Sequence, residues 1–273
     1  MKKTNLFKIF AACTVLVMAS CTTEPIDSSS TATDNGGGGN NGGGNNNGGG
    51  NNGGGNNNGG GGTSSGDYFP LAINNVWNYE SNDADNNGPV KIAATTTING
   101  KLYYKVEKTY TASNGIEDIG VSTVYYRKEN GSYYQRVETD YTAQEGVNMT
   151  VTPMEVEILR DNLPVNGTWS GTTVQNYTYD VGGNFMSMTY NDTFTIMEKG
   201  VSVTVGNTTY NDVIKVKHVQ NTRMQIAGFP INQTAQYTIY NWYAKDVGMI
   251  KTEGASSQTG GDTYLHLTSY TLN

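Results

Sequence analysis

The chain predicts a mainly β domain, antiparallel, of about ten to twelve strands with at most one short helix. Three observations carry that expectation. From residue 67 onward tyrosine, threonine and valine recur in short runs while proline is scarce, 6 in 273 residues, a composition suited to pleated, half-buried strands. Turn dipeptides separate the runs at hairpin spacing. Apolar and polar residues alternate, so that Ile214 and Val216 point one way while Lys215 and Lys217 point the other, as in a sheet with one face in the core and one in water.

The strands follow in order. "KIAATTTI" (91–98) meets "KLYYKVEKTY" (101–110) across Asn99-Gly100, a two-residue signal for a type I′ hairpin turn. "VSTVYYRK" (121–128) and "SYYQRVET" (132–139) flank Glu129-Asn130-Gly131, and "QNYTYDV" (175–181) and "FMSMTYNDTFTIM" (185–197) flank Gly182-Gly183-Asn184. "VSVTV", "YNDVIKVKHVQ", "QYTIYNWYAK", "MIKTE" and "TYLHLTSYTL" continue the series to the C-terminus. "PMEVEILRDNL" (153–163) is the one helical candidate; its apolar spacing fits a strand or a short helix equally.

Ahead of this domain lie two segments of other character. Residues 1–20 read as a secretory signal, with Lys2 and Lys3 at the start, an apolar stretch from Ile9 to Met18, then Ala19 and Ser20 before Cys21. The stretch is too short to span a bilayer, which takes about 20 residues. Leu16-Val17-Met18-Ala19-Ser20-Cys21 resembles the lipobox of bacterial lipoproteins, with Met18 where leucine is commonest. The resemblance implies lipidation of Cys21, palmitate among its acyl chains, and a mature chain that begins there. More than one chain makes such anchoring stable, since each buried methylene contributes about 0.8 kcal/mol. Cys13 has too short an apolar run before it to compete, and an ordinary cleaved signal with an incidental cysteine is the alternative.

Residues 21–66 form a tether. Within them, residues 35–62 are 17 glycines and 11 asparagines and nothing else, a composition that cannot bury enough apolar surface to offset the entropy of ordering. Residues 22–66 span about 35 to 40 Å as a glycine-rich coil and about 150 Å fully extended. The tract reads as a leash that frees the domain from the membrane, or as harmless replication slippage. Glu24 and Asp27 after the cysteine resemble the surface-export signals of Bacteroidetes lipoproteins. Residues 67–273 make up a single domain, and Cys13 and Cys21 are the only cysteines, so it folds without disulfide or thiolate ligand. With Lys2, Lys3 and Lys8 removed, 14 basic residues face 24 acidic ones, a formal net charge of −10. That balance repels phosphate backbones, and nucleic acid is not expected as a partner.

Four segments resemble, in order, landmarks of a family of uncharacterised Bacteroidetes-type secreted proteins and lipoproteins: "YFPLAINNVWNYE" (68–80), "LPVNGTWSGTT" (163–173), "VTVGNTTYNDVIKVKH" (203–218) and "NWYAKDVGMIKTE" (241–253). In that family the first runs Pro-Leu-x-x-Gly-Asn-x-Trp-x-Tyr and the last Tyr-Ala-x-Gly-Val-Gly-x-Ile/Val-Lys. Asn74 and Asp246 stand where the family has glycine; both residue types tolerate positive φ, so the turns survive the change. The resemblance implies an open, strongly curved sheet or half-barrel, like that of periplasmic lipoprotein carriers, and brings no established activity. Trp77, Trp169 and Trp242 are expected in the core, and Gly167, Gly206 and Gly248 in turns.

Few catalytic groups are on offer. His218 and His266 are the only histidines; each sits in an alternating strand outside any metal-ligand spacing and is expected to be buried and hydrogen-bonded. No G-x-S-x-G, H-E-x-x-H, Walker loop or dinucleotide fingerprint occurs. Glu155 and Glu157 share a face if their segment is a strand, the geometry of a glycosidase pair or of a solvated acidic patch. Asp83, Asp85 and Asn87 open like a calcium loop, but Ala94 stands at the position of the bidentate glutamate. A polar hairpin turn explains them as well, and no cofactor other than calcium is suggested.

The tyrosines are the candidate ligand site. Tyr103-Tyr104, Tyr125-Tyr126 and Tyr133-Tyr134 each place neighbours on a strand, so one of each pair faces outward. If the three strands are adjacent, the outward rings form a strip fit to stack on sugars or grip a peptide. The sequence thus reads as an outer-membrane lipoprotein, on the cell-surface or periplasmic face, anchored through lipid on Cys21. Its domain is a non-catalytic module, structural or binding a glycan or another envelope protein. A carrier of an apolar ligand or lipid in the concave sheet is the alternative, and a hydrolase comes after it.

Overall fold

The structure, a computed structural model, describes residues 66–273 except 83–87, 108–109, 114–117, 142–148, 180–182, 231 and 257–261. The strands are β1 (Val76–Ser81), β2 (Gly88–Ile98), β3 (Lys101–Val106), β4 (Tyr110–Ser113), β5 (Asp118–Glu129), β6 (Ser132–Tyr141) and β7 (Met149–Val151). They continue as β8 (Met154–Arg160), β9 (Thr168–Tyr179), β10 (Gly183–Val205), β11 (Thr208–Ile226), β12 (Asn232–Ala244), β13 (Gly248–Ser256) and β14 (Asp262–Thr271). No helix occurs among the described residues, and the ambiguous 153–163 segment contributes strand β8.

The pairing closes on itself. β9 to β14 pair in chain order, β14 returns to β1, and β1, β2, β3, β5, β6 and β7 lead back to β9, twelve strands in one antiparallel ring. β4 joins a further stretch of β5 beyond β3, and β8 lies along β6 beyond β7. The class matches the expectation; the ring's twelve strands fall within the ten to twelve expected, and β4 and β8 bring the total to fourteen. The sheet is a closed barrel rather than an open half-barrel, because β5 bonds both to β3, at Tyr104↔Tyr126 and Lys105↔Tyr125, and to β6.

The hairpins form where the turn chemistry places them. Asn99 and Gly100 have φ of 50° and 76°, and Asn130 and Gly131 have 51° and 79°, the doubly positive pair that a type I′ turn needs. Asn74 and Asp246 also adopt positive φ, 71° and 58°. Alternation then sorts the faces. Along β11 the even positions from Ile214 to Ile226 are buried inside, while Lys215, Lys217, Asn221, Arg223 and Gln225 face out. β10 repeats the pattern, with Met186, Met188, Tyr190, Asp192, Phe194 and Ile196 buried. On β11 the outward face is therefore mostly polar, unlike the apolar outer band about 25 Å tall of membrane-spanning barrels.

Residues 66–75 run as a strap across one end of the barrel. Tyr68, Phe69 and Leu71 are buried in the main core beside Trp77, which is fully buried. Phe69 stacks on Trp77 at 5.3 Å, and the indole Nε1 donates to the Val247 carbonyl at 2.6 Å. Gly248 has φ of 113°, and a Cβ there would lie 3.1 Å from that indole nitrogen. The segments 68–80 and 241–253 thus interlock. Trp169 is buried as well, and Trp242 is buried on the outer wall, with Lys215 and Lys251 at 5.0 and 4.8 Å from its ring.

Candidate functional site

The barrel interior is two apolar clusters with polar groups between them. One cluster surrounds Trp77; the other holds Val151, Tyr177, Met186, Met188, Tyr190, Met224 and Ile226. Between them β10 and β11 carry Asp192, His218 and Gln220 inward, all buried. Asp192 Oδ1 lies 2.7 Å from His218 Nε2 and accepts from Gln220 Nε2 at 2.9 Å. Nearby, Gln175 Oε1 accepts from the Tyr177 hydroxyl at 2.8 Å. Buried polar groups persist only when so partnered.

The imidazole is fixed from its face as well. Trp169 stacks on Phe194 at 5.0 Å, and Phe194 stacks on His218 at 4.1 Å with the planes 13° apart. This column runs across β9, β10 and β11 because Trp169, Phe194 and His218 are register partners in turn. The expectation for His218, buried and hydrogen-bonded, holds. His266 differs: it is half-buried, its Nε2 has no hydrogen-bond partner, and Glu253 Oε1 is 3.9 Å away. It pairs in register with Lys251, whose neighbour Trp242 is on the outer wall.

His218 and Gln220 border a cavity of about 190 Å³ inside the barrel. Phe69 of the strap, Tyr126, Phe194, Ile239 and Tyr243 supply apolar walls, and Gln135 and Asn241 add polar groups. Gln135 Nε2 donates to the Tyr126 hydroxyl at 3.0 Å, and Asn241 Oδ1 accepts from Thr252 Oγ1 at 2.8 Å. No aspartate, glutamate, lysine or arginine lines it among the described residues. Burial pushes the phenol of Tyr243 far above its ordinary value.

The six tyrosines of the sequence-predicted strip fall on both faces of three neighbouring strands. Tyr104, Tyr126 and Tyr133 turn inward, and Tyr126 lines the cavity. Tyr133 accepts from the Tyr68 amide at 3.1 Å and donates to Asp161 Oδ2 at 2.9 Å, which ties the strap to the barrel. Burial pushes its phenol far up as well. Tyr103, Tyr125 and Tyr134 lie on the outer face, as alternation requires, and there they are engaged with charged neighbours. Tyr103 is buried; its hydroxyl donates to Glu155 and its ring meets that of Tyr125 edge-on at 6.5 Å. Arg127 covers Tyr134 and bonds Glu155 through Nη2 at 2.7 Å and Nε at 3.3 Å.

Glu155 and Glu157 share this outer face and are held separately, Glu155 by Arg127 and Tyr103, Glu157 by two bonds of 2.8 Å from Arg160. Burial raises the Glu155 carboxyl, but the bonds from Arg127 and Tyr103 outweigh it and hold the group below the usual carboxylate range. Asp83, Asp85 and Asn87 lie outside the described residues, as does Cys21. Among the described residues no group of three or more metal-ligating side chains is assembled. Asp192 was not singled out from sequence, although the signal was present: it is the one acid on the inward, apolar face of its strand.

No family model matches the chain, and no curated protein matches it significantly. Two solved structures are similar. One, from Parabacteroides distasonis ATCC 8503 at 2.70 Å resolution, is called a "putative lipoprotein"; it is 16% identical, with TM-score 0.47, over 75% of this chain and 98% of that one. The other, from Bacteroides fragilis NCTC 9343 at 2.22 Å, is called a "putative exported protein with YmcC-like fold"; it is 12% identical, with TM-score 0.45, over 76% of this chain and 100% of that one.

Proposed function

We propose that this chain is a lipid-anchored protein of the outer membrane whose tethered barrel binds a small molecule in its interior, as a binding module rather than an enzyme. The observation that carries the binding reading is the cavity of about 190 Å³, apolar on most walls with fixed polar groups at one side. Convergent polar groups in an otherwise apolar enclosure are the general form of a ligand site. Binding is favoured over catalysis because the described lining is mostly apolar and brings no aspartate, glutamate, lysine or arginine to the cavity wall.

Anchoring rests on the leader and Cys21, and the mostly polar outward face of β11 agrees with a domain held beside a membrane rather than in it. Labelling cells with a palmitate analogue tests this half: the label is expected on the protein and lost in Cys21→Ala. The binding half is tested by a thermal-unfolding screen of the full chain against small molecules, beside Ile239→Phe, which fills the cavity from β12. A ligand at a hundred times its Kd adds about 2.7 kcal/mol. That shift is expected in the parent and absent from the filled variant, and a shift that persists in the variant places binding elsewhere. A persistent shift would favour glycan or envelope-protein binding on the outer wall, where Tyr125 is partly exposed while Tyr103 is buried and Arg127 covers Tyr134.

A further inference from the structure

We infer that the barrel cavity is built for an uncharged molecule the size of one substituted ring, bearing a hydrogen-bonding substituent such as a carboxamide, and that it rejects anions. This rests on the small-molecule reading above and narrows it to a chemical class.

Charge is the first argument. A carboxylate or phosphate entering the cavity gives up its hydration, and among the described lining residues no lysine or arginine compensates. The one basic side chain on the wall is His218, and it faces Asp192 at 2.7 Å. With a proton on the imidazole the pair is neutral; without it, the aspartate's negative charge remains behind the ring. Neither state presents the net positive charge that an anion needs, so the pair selects against anions rather than for them.

Hydrogen bonding is the second. Gln220 commits its Nε2 to Asp192, and Asn241 commits its Oδ1 to Thr252. What the two retain is a carbonyl oxygen on Gln220 and an amide nitrogen on Asn241, on the neighbouring strands β11 and β12 but at separate levels of the wall, Gln220 opposite Tyr237 and Asn241 opposite Val216. Each meets a neutral polar group singly: Asn241 donates to a ligand carbonyl at its level, and Gln220 accepts from a hydroxyl or amide at the other.

Size is the third. A cavity of about 150 Å³ admits benzene, so about 190 Å³ admits a ring with one small substituent, roughly eight to ten non-hydrogen atoms. Phe69 and Tyr126, which meet edge-on at 4.7 Å, and Phe194 give such a ring aromatic walls. A sixteen-carbon acyl chain is too large.

The test compares benzamide with benzoate, equal in shape and different in charge, and with hexadecanoate, on the full chain by calorimetry or saturation-transfer NMR at pH 7. Benzamide is expected to bind at least tenfold tighter than benzoate, to lose about threefold to tenfold in Asn241→Leu through one missing hydrogen bond, and to be excluded by Ile239→Phe. Val156→Phe, which fills the same space from β8, replaces that variant if it fails to fold. Benzoate binding as tightly as benzamide, or hexadecanoate binding in its place, overturns the inference and leaves the small-molecule reading standing. None of the three binding, together with a higher unfolding midpoint for the filled variant, overturns both: the cavity is then only a packing gap.

Discussion

The guanidinium carbon of Arg127 lies 3.5 Å from the centre of the Tyr134 ring, a cation held flat on an aromatic face by two bonds to Glu155. The face that would stack on a sugar is thus occupied by the protein's own side chain. Because the guanidinium is almost completely buried, 5% exposed, while Glu155 is 26% exposed, the contact acts mainly on stability. Hydrogen bonds to charged groups are worth about 1.5 to 3 kcal/mol, so Arg127→Ala is expected to lower unfolding free energy by about 2 kcal/mol in urea titration. Arg127→Lys should recover less than half, because an ammonium cannot fork to a carboxylate and lie on a ring together.

The same pair sets an acid limit. Glu155 titrates lower in the folded chain than its ordinary value of 4.5, so the unfolded chain takes up its proton first as pH falls. Its contribution is complete at neutral pH and is lost through the window below 4.5. Unfolding midpoints measured against pH should fall in that window, and Arg127→Ala should flatten the fall.

An alkaline limit has the opposite sign. Burial raises the phenols of Tyr133 and Tyr243 above the ordinary 10.0, so the neutral forms favour the folded state. That stability is complete below 10.0 and declines as pH rises past it, when the unfolded tyrosines ionise first. Tyr133→Phe should make the decline shallower.

Tyr133→Phe also releases the strap. Without the hydroxyl, the Tyr68 amide and an Asp161 oxygen lose their buried partner, at a cost of about 1 to 3 kcal/mol. Hydrogen exchange at Tyr68 and Phe69 is expected to rise while that of β10 and β11 stays slow. Equal acceleration everywhere would show that the strap and barrel open as one unit.

Two positive-φ positions separate backbone from side chain. Asn74 at 71° and Asp246 at 58° adopt the left-handed backbone that glycine enters most readily. Asn74→Gly and Asp246→Gly should change stability by a few tenths of a kcal/mol, and Asn74→Val should cost about 1 to 2 kcal/mol through left-handed strain. Thermal or chemical unfolding of the three variants decides this.

The local features were legible because their causes are local. Asn99-Gly100 and Asn130-Gly131 form turns through their own φ preferences, and the faces of β11 follow from a period of two. Barrel closure was not legible, since it depends on β1 meeting β14 and on two residues of β3 reaching β5, pairings that no local pattern encodes. The tyrosine pairs were found, and their strands are neighbours, but which ring faces stay open depends on Arg127, whose partner Glu155 is 28 residues away. The Asp192 and His218 pairing needed the β10–β11 register; an acid among inward apolar positions was the available clue.

On the leash proposed above, ring closure would matter at close quarters. Molecules tethered to one surface meet at effective concentrations that reach the millimolar range, conditions under which a long unpaired strand recruits its twin. Here β10, β11 and β12 each bond two neighbours over much of their length, with β10 beyond Ile196 paired to β11 alone, and the two ring extensions, β4 and β8, are 4 and 7 residues long. Copies held on one membrane in the proposed way would then meet mainly as closed rings rather than as open sheets.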